Sequence, residues 1–117
     1  MRSDEALLLD MLIAARRIQR FTDGMTLNDF NHSEVVQSAV LREIQVIGEA
    51  GRRVSDVTRV RYVNVPWAAI AGMRNRIIHE YFNIDLRMVW DTVQQDIPLL
   101  IAQLEQIVPA DRGDTSD

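Results

Sequence analysis

The chain has 117 residues, 47% of them hydrophobic, and a net charge of −4 at pH 7. This length suits one domain, and the absence of cysteine excludes disulfides, thiolate nucleophiles and cysteine-based zinc sites. No apolar run reaches the roughly 20 residues that a helix needs to span a bilayer. We therefore expect a cytoplasmic protein that contacts no membrane.

The first predicted element is a helix from about Ser3 to Asp23. Ser3 is a suitable N-cap, acidic residues follow it where the helix dipole favours them, and Gly24 suits the C-terminal end. Hydrophobic residues then recur at spacings of four and three, which predicts one buried stripe. The stripe consists of Leu7, Met11, Ala14, Ile18 and Phe21.

A second, longer helix is predicted after a polar link from Met25 to Phe30. Asn31 and Glu34 resemble a capping box at its start, and the helix would be roughly 24 residues long. Its apolar face is wide, which predicts a central position in the fold. That face consists of Val36, Val40, Ile44, Ile47, Gly51 and Val54, extended by Val35, Ala39, Val46 and Ala50.

The third long segment follows a break at Ser55 and Asp56 and a short helix or loop to Tyr62. Pro66 opens it, because the fixed φ and missing N–H of proline suit the first position of a helix. The predicted helix continues to about Phe82.

Asp85 is a good N-cap for the last predicted helix. This helix keeps a four-three heptad over its whole length, and Pro98 should kink it. The heptad positions are Leu86, Trp90, Val93, Ile97, Leu100, Leu104 and Ile107.

Long amphipathic segments without an alternating strand pattern predict an all-α fold, an up-and-down bundle of four to five helices. The bundle is expected to occupy residues 1–110 as one domain. Residues 111–117 are rich in aspartate, and we expect them to form a flexible acidic tail.

Candidate chemistry is concentrated in residues 72–82, which hold Arg74, Asn75, Arg76, His79 and Tyr81. Histidine can take and give a proton near neutrality, and arginine can stabilise charge on a phosphate. These residue types suit metal-free cleavage of RNA, where the 2′-OH is a nucleophile already in place. On one continuous helix, however, Arg74 and His79 would point about 140° apart.

Structural roles are the simpler interpretation of the same residues. A histidine near a helix C-terminus often caps carbonyl groups, and a tyrosine can lie in the core with its hydroxyl at the edge. The only other histidine, His32, stands far from His79 and without the HExxH spacing, so neither a metal site nor a cofactor is expected.

The motif resembles those of known families. Arg74-Asn75-x3-His79 resembles the signature of HEPN domains, and with Tyr81 two residues later it is similar to the form found in HepT toxins. The order of the surrounding segments agrees, over roughly residues 7–104. These segments are Ile47-Gly48-Glu49-Ala50, Val65-Pro66-Trp67 and Asp96-Ile97-Pro98.

The resemblance implies a dimeric, HEPN-like bundle in which Arg74 and His79 of both chains line a cleft at the interface. It implies a metal-independent endoribonuclease, the toxin of a type VII-like toxin–antitoxin pair. Its antitoxin would be an MntA-like nucleotidyltransferase that transfers AMP to Tyr81 and excludes RNA. Asn75 and Arg76 would support the site or contact RNA.

Two other functions remain open. The chain could be a non-catalytic, substrate-binding partner of a nucleotidyltransferase, or a structural dimerisation bundle with the last helix as its seam.

Secondary residues have their own expectations. Glu49 is a candidate ion-pair partner for a motif arginine, Trp67 and Trp90 are core candidates, and His32 is expected not to be catalytic.

Overall fold

The computed structural model describes residues 2–77 and 84–108, with the side chains of Arg74, Arg76 and Ile77 outside the description. These residues are helical and contain no strand. Seven α-helices and one π-helical turn follow each other along the described chain. They are α1 (Asp4–Thr22), α2 (Leu27–Asn31), α3 (Glu34–Arg53), α4 (Asp56–Arg61), α5 (Trp67–Ile77), α6 (Leu86–Asp91), the π turn (Thr92–Asp96) and α7 (Ile97–Glu105).

Helices α1 and α3 form the centre of the bundle, with α7 packed on α1 and α5 packed on α3. The predicted start of α1 is confirmed, because the Ser3 side chain accepts from the backbone N–H of Ala6. Its end is confirmed too, since Gly24 follows the helix with φ +77°. Such a φ is in the left-handed region that glycine adopts without strain. Of the predicted stripe, all but the half-buried Phe21 are buried in the core.

The link predicted between the first two helices is wrong, because it contains α2. Thr26 and Asp29 form a reciprocal capping box at the start of this short helix, and Phe30 at its other end is fully buried. The predicted capping box at Asn31 is wrong as well: the N-cap of α3 is Ser33, which accepts from Val36. Burial of the Phe30 ring stabilises a helical turn in this link, where composition alone indicated a loop.

Helix α3 is shorter than predicted, at 20 residues, and buries only part of its wide apolar face. Val40, Ile44 and Ile47 are completely buried, as expected of a central helix. Val35, by contrast, is 81% exposed, so its placement on the buried face is wrong. Ala39 and Val46 are only half-buried.

The break predicted at Ser55 is confirmed as a turn between α3 and the short helix α4. Ser55 is the N-cap of α4 and accepts from Thr58. Arg59 reaches back from α4 and donates from Nη2 to the carbonyls of Gly51, at 3.0 Å, and Arg52, at 2.7 Å. A guanidinium that binds the last carbonyls of a helix satisfies orphan acceptors and complements the dipole. Arg59 therefore fastens α4 to the end of α3.

The last predicted helix exists, and its predicted N-cap, Asp85, accepts from Met88. It is divided by the π turn, which ends two residues before Pro98. Proline has no N–H to donate and its ring crowds the preceding turn, so a locally wider turn accommodates it. The heptad from Val93 to Leu104 is buried as predicted.

The short helices α2 and α4 and the divided last helix give more helices than the four to five predicted. The all-α prediction agrees with the described residues. In that part of the chain, no helix is both long and apolar enough to cross a membrane. The predicted tail at 111–117 lies outside the described residues.

Candidate functional site

Helix α5 carries Arg74, Asn75 and Arg76 of the predicted site. Contacts at its start fix its position. The indole Nε1 of Trp67 donates to the carbonyl of Tyr62 at 3.0 Å, and Val65 is 2% exposed. Pro66 lies one residue before the helix, where its carbonyl accepts from the backbone N–H of Ile70 at 2.9 Å. This differs by one residue from the predicted first helical position.

The inner side of α5 packs closely against α3. Ile70 and Met73 are 2% and 3% exposed, and a β-carbon built at Gly51 would lie 3.0 Å from Cγ2 of Ile70. The two helices approach so closely because Gly51 has no side chain there. This contact fixes the rotation of α5 about its axis and therefore the side of the helix that faces out.

The outer side of α5 consists of small and polar residues. Ala68, Ala71 and Asn75 are exposed, and Gly72 is half-exposed with nothing within 4 Å of an added β-carbon. The backbone of Arg74 lies between the buried Met73 and the exposed Asn75. The predicted supporting residue Asn75 is therefore accessible in the last described turn of the helix.

His79 and Tyr81 lie outside the described residues, as do the side chains of Arg74 and Arg76. The structure thus brings the backbones of Arg74, Asn75 and Arg76 together on α5. The pairing of Arg74 with His79 stays a prediction from the sequence.

The secondary candidates have partners of their own. Glu49 accepts from Arg52 at 2.6 Å, so its carboxylate already has a partner within α3. The Nδ1 atom of His32 lies 2.8 Å from the carbonyl of Asn28, at the end of α2.

The two tryptophans pack against the hydrophobic core, as expected of core residues. The ring of Trp90 lies 5.4 Å from the ring of Phe30, centroid to centroid. This contact joins α2 to α6, and it explains why so short a helix is fixed in place.

Two arginines of α1, Arg16 and Arg17, form ion pairs within the chain. Arg16 lies 2.8 Å from a carboxylate oxygen of Glu105, and Arg17 lies 3.4 Å from Glu43, whose side chain is 12% exposed. A phosphate backbone would have to compete with these carboxylates. Arg16 and Arg17 therefore belong to a charged helix face that is paired within the chain.

Asp4 has a structural role that sequence reasoning missed. It accepts from the hydroxyl of Ser55 at 2.5 Å, the hydroxyl of Thr58 at 2.5 Å and the backbone N–H of Ser55 at 3.1 Å. These hydrogen bonds hold the pKa of Asp4 below its ordinary value of 3.8, and the bond from the Ser55 hydroxyl has the largest effect. The contact fastens the start of α1 to the start of α4, 51 residues later.

Comparison with known proteins identifies the relatives of this chain. The model of the family described as "Ribonuclease HepT-like" matches residues 11–107. That range includes all of α2 to α7, most of α1, and the whole predicted motif from Arg74 to Tyr81.

Three relatives illustrate the similarity. A "putative RNase" of Methanocaldococcus jannaschii is 36% identical over 104 residues, which cover 89% of this chain and 95% of the relative. A "probable ribonuclease HepT" of Thermococcus cleftensis is 35% identical over 106 residues, covering 91% and 96%. A "putative RNase" of Caldanaerobacter subterraneus subsp. tengcongensis is 36% identical over 89 residues, covering 76% and 80%. No solved structure matches the chain.

Proposed function

Because the chain belongs to the family of HepT-like ribonucleases, we propose that it is a metal-independent endoribonuclease, the toxin of a type VII-like toxin–antitoxin pair. The observation that carries the proposal is the family match, which covers Arg74, His79 and Tyr81 within one continuous range. The exposure of Asn75 beside Arg74 supports it, because the site must be open to a polymer.

In the proposed reaction, His79 removes the proton from a 2′-OH of RNA. The 2′-oxygen bonds to the adjacent phosphorus, the bond from phosphorus to the 5′-oxygen breaks, and the departing 5′-oxygen takes up a proton. The products are a 2′,3′-cyclic phosphate and a 5′-OH. Arg74 stabilises the negative charge that gathers on the non-bridging oxygens, and Asn75 and Arg76 hold the phosphate backbone.

A second copy of the chain completes the proposed site. On one helix, Arg74 and His79 would point about 140° apart, so a single helix face does not bring them together. A cleft between two copies supplies both residue types from two chains. The small side chains on the outer face of α5, such as Ala68 and Ala71, leave room for such a neighbour.

Control of the toxin is proposed to act at Tyr81. An MntA-like nucleotidyltransferase would transfer AMP from a nucleoside triphosphate to the tyrosine oxygen, with pyrophosphate as the leaving group. The new phosphodiester adds bulk and negative charge two residues from His79. Both effects would exclude the RNA backbone from the cleft.

The test is cleavage of RNA in excess EDTA by protein that intact mass shows to be unmodified. Wild type should cut and leave cyclic phosphate ends, and His79→Ala should be slower by about 100-fold or more, the usual contribution of a general base. His32→Ala is the matched control, because His32 is exposed and its Nδ1 atom bonds to the carbonyl of Asn28 in α2. It should cut as wild type does.

Two results would contradict the proposal. Cleavage by wild type that disappears in EDTA would show that a metal ion is needed. If wild type cuts no RNA of several kinds, the interpretation as a binding partner of a nucleotidyltransferase becomes the better one.

A further inference from the structure

A groove runs along the outside of the bundle between α1 and α3, and the proposed function makes no use of it. It consists of two adjoining hollows of about 460 and 400 Å³, which share Asp10, Arg42 and Val46 in their linings. On α1 it extends from Leu7 to Phe21, a length of about 21 Å at the rise of an α-helix. We call it the α1–α3 groove.

The floor of the α1–α3 groove is apolar and partly open to solvent. Leu7 and Ala50 are buried there, Val46 is half-buried, and Ile13 is 43% exposed. Apolar side chains that line a concave surface with polar residues at its rim mark a site for another molecule.

The carboxylates of the α1–α3 groove are neutralised by arginines of the same chain. These ion pairs are Asp10 with Arg2 at 2.8 Å, Glu43 with Arg17 at 3.4 Å, and Glu49 with Arg52 at 2.6 Å. None of the three carboxylates is therefore left over to attract a cationic partner.

Two arginines of the α1–α3 groove are left without a carboxylate. Arg42 and Arg53 are exposed, and neither has an ion-pair partner among the described residues. They are eleven residues apart on α3, which places them about 16 Å apart along the helix and within about 20° of the same side. Val46 lies between them. A molecule that fills the groove must therefore bring negative charge to two points, with apolar surface between them.

We propose that the α1–α3 groove binds an amphipathic helix of another protein, with acidic residues at two positions about three turns apart. The apolar face of that helix covers Val46 and Ile13, through side chains at spacings of three and four residues. Carboxylates eleven residues apart lie on one side of such a helix and match the separation of Arg42 from Arg53. Ion pairs at both ends fix the register of the bound helix.

A helix fits the α1–α3 groove better than an extended peptide does. An extended peptide binds by adding a strand to an exposed sheet edge, and the described residues contain no strand. A helix satisfies its own backbone hydrogen bonds, so it needs only side-chain contacts from α1 and α3. About 14 residues of helix span the length of the groove.

RNA also fits the α1–α3 groove less well than an acidic helix does. Proteins bind single-stranded RNA largely by stacking its bases on aromatic rings. The lining includes one aromatic ring, Phe21, and the guanidinium of Arg17 lies 6.0 Å from its centroid. The floor between the two unpaired arginines is aliphatic, which suits apolar side chains of a protein.

The α1–α3 groove is separate from the catalytic cleft proposed at α5. Gly51, which meets α5 at Ile70, lies about 140° around the axis of α3 from Val46. A helix bound in the groove therefore leaves the outer side of α5 free. The inference goes beyond the proposed function and does not depend on ribonuclease activity.

The experiment uses two fluorescein-labelled peptides of about 18 residues, each held helical by a lactam staple. They have the same composition, with leucines at spacings of three and four residues. In the first peptide two glutamates are eleven residues apart and share one side of the helix. In the second they are nine residues apart and lie on opposite sides. Fluorescence anisotropy measures the dissociation constant of each peptide.

The first peptide should bind wild type about tenfold or more tightly than the second. Arg42→Glu and Arg53→Glu should each weaken its binding about tenfold or more. A third peptide, with lysines in place of the two glutamates, should bind the double variant. Arg61→Glu is the matched control, because Arg61 is exposed on α4, outside the groove. It should bind the first peptide as wild type does, and circular dichroism shows whether each variant is folded.

Several results would overturn the proposal. Wild type may bind neither peptide, bind both equally, or keep its binding in Arg42→Glu. If the peptides fail while Arg42→Glu abolishes binding of a labelled single-stranded RNA, the groove belongs to RNA. If they fail while Arg42→Glu lowers the number of chains per particle in light scattering, the groove is a contact between copies. If no RNA is cut yet the first peptide binds as expected, the proposed function fails and this inference stands.

Discussion

The side chain of Ile70 occupies the space beside Gly51, so that a β-carbon at position 51 would lie 3.0 Å from Cγ2 of Ile70 and 3.5 Å from Cε of Met11. Three helices, α1, α3 and α5, meet at this point. The contact sets how close α5 can lie to the centre of the bundle, and α5 carries Arg74.

Gly51→Ala tests this contact. Overpacking of a filled core position costs about 1–3 kcal/mol, which should exceed the gain of up to about 1 kcal/mol that alanine brings to a helix. The control is Gly72→Ala, where an added β-carbon meets nothing within 4 Å and stability should rise. Urea unfolding compares the two variants. Equal effects would show that Gly51 is not needed for the close approach.

Arg59→Met should destabilise the fold by about 1.5–3 kcal/mol, the contribution of hydrogen bonds from a charged donor. The two carbonyls at the end of α3 would lose their donor, while methionine keeps most of the aliphatic stem. Arg61→Met is the control, since the guanidinium of Arg61 is exposed and lies 5.5 Å from the ring of Tyr62. Thermal unfolding followed by circular dichroism measures both. A larger loss in the control would refute the capping role.

Asp4 predicts a dependence of stability on pH. Its pKa is lower in the folded chain than its ordinary value of 3.8, so its contribution is present above that value and is lost as the pH falls through the folded pKa. The free energy of unfolding of wild type should therefore exceed that of Asp4→Asn near neutrality, and the difference should shrink in acid. Urea unfolding at several pH values measures it, with Glu5→Gln as the control. A difference that is constant with pH would contradict this role.

Phe30→Ala should destabilise the chain by about 3–5 kcal/mol, the usual cost of removing a buried aromatic ring. Helix α2 would lose the side chain that holds it against α6. Trp90, whose ring centroid lies 5.4 Å from that of Phe30, would become more exposed to solvent. Tryptophan emission should shift to longer wavelength. Thr26→Ala, which removes only the cap of α2, should cost about 1 kcal/mol and leave the emission unchanged. An unshifted spectrum in Phe30→Ala would show that the ring contact does not hold α2.

The modification proposed at Tyr81 has its own test. Co-expression with the proposed nucleotidyltransferase should add whole AMP units to the mass of wild type and of His79→Ala. Tyr81→Phe should gain none, because it lacks the acceptor oxygen. Modification of Tyr81→Phe by an active transferase would place the acceptor elsewhere.

The sequence by itself was enough for the all-α class, the ends of α1 and the N-cap of α6. These features are local: Ser3, Gly24 and Asp85 act within one turn of helix, and a four-three spacing of apolar residues describes one face of one helix. The motif from Arg74 to Tyr81 was also identified from the sequence, because residue type and order define it. The family match covers the same range, and the roles of these residues stay predictions.

Only the tertiary structure decided which apolar residues are covered. Ile44 and Val35 belong to the same predicted face, yet one is completely buried and the other is 81% exposed. Helix α2 and the link between Asp4 and Ser55 also depend on partners distant in the chain. Burial and long-range hydrogen bonds depend on how the helices pack. Periodicity along one helix shows which of its faces is apolar, but not which other helix covers that face.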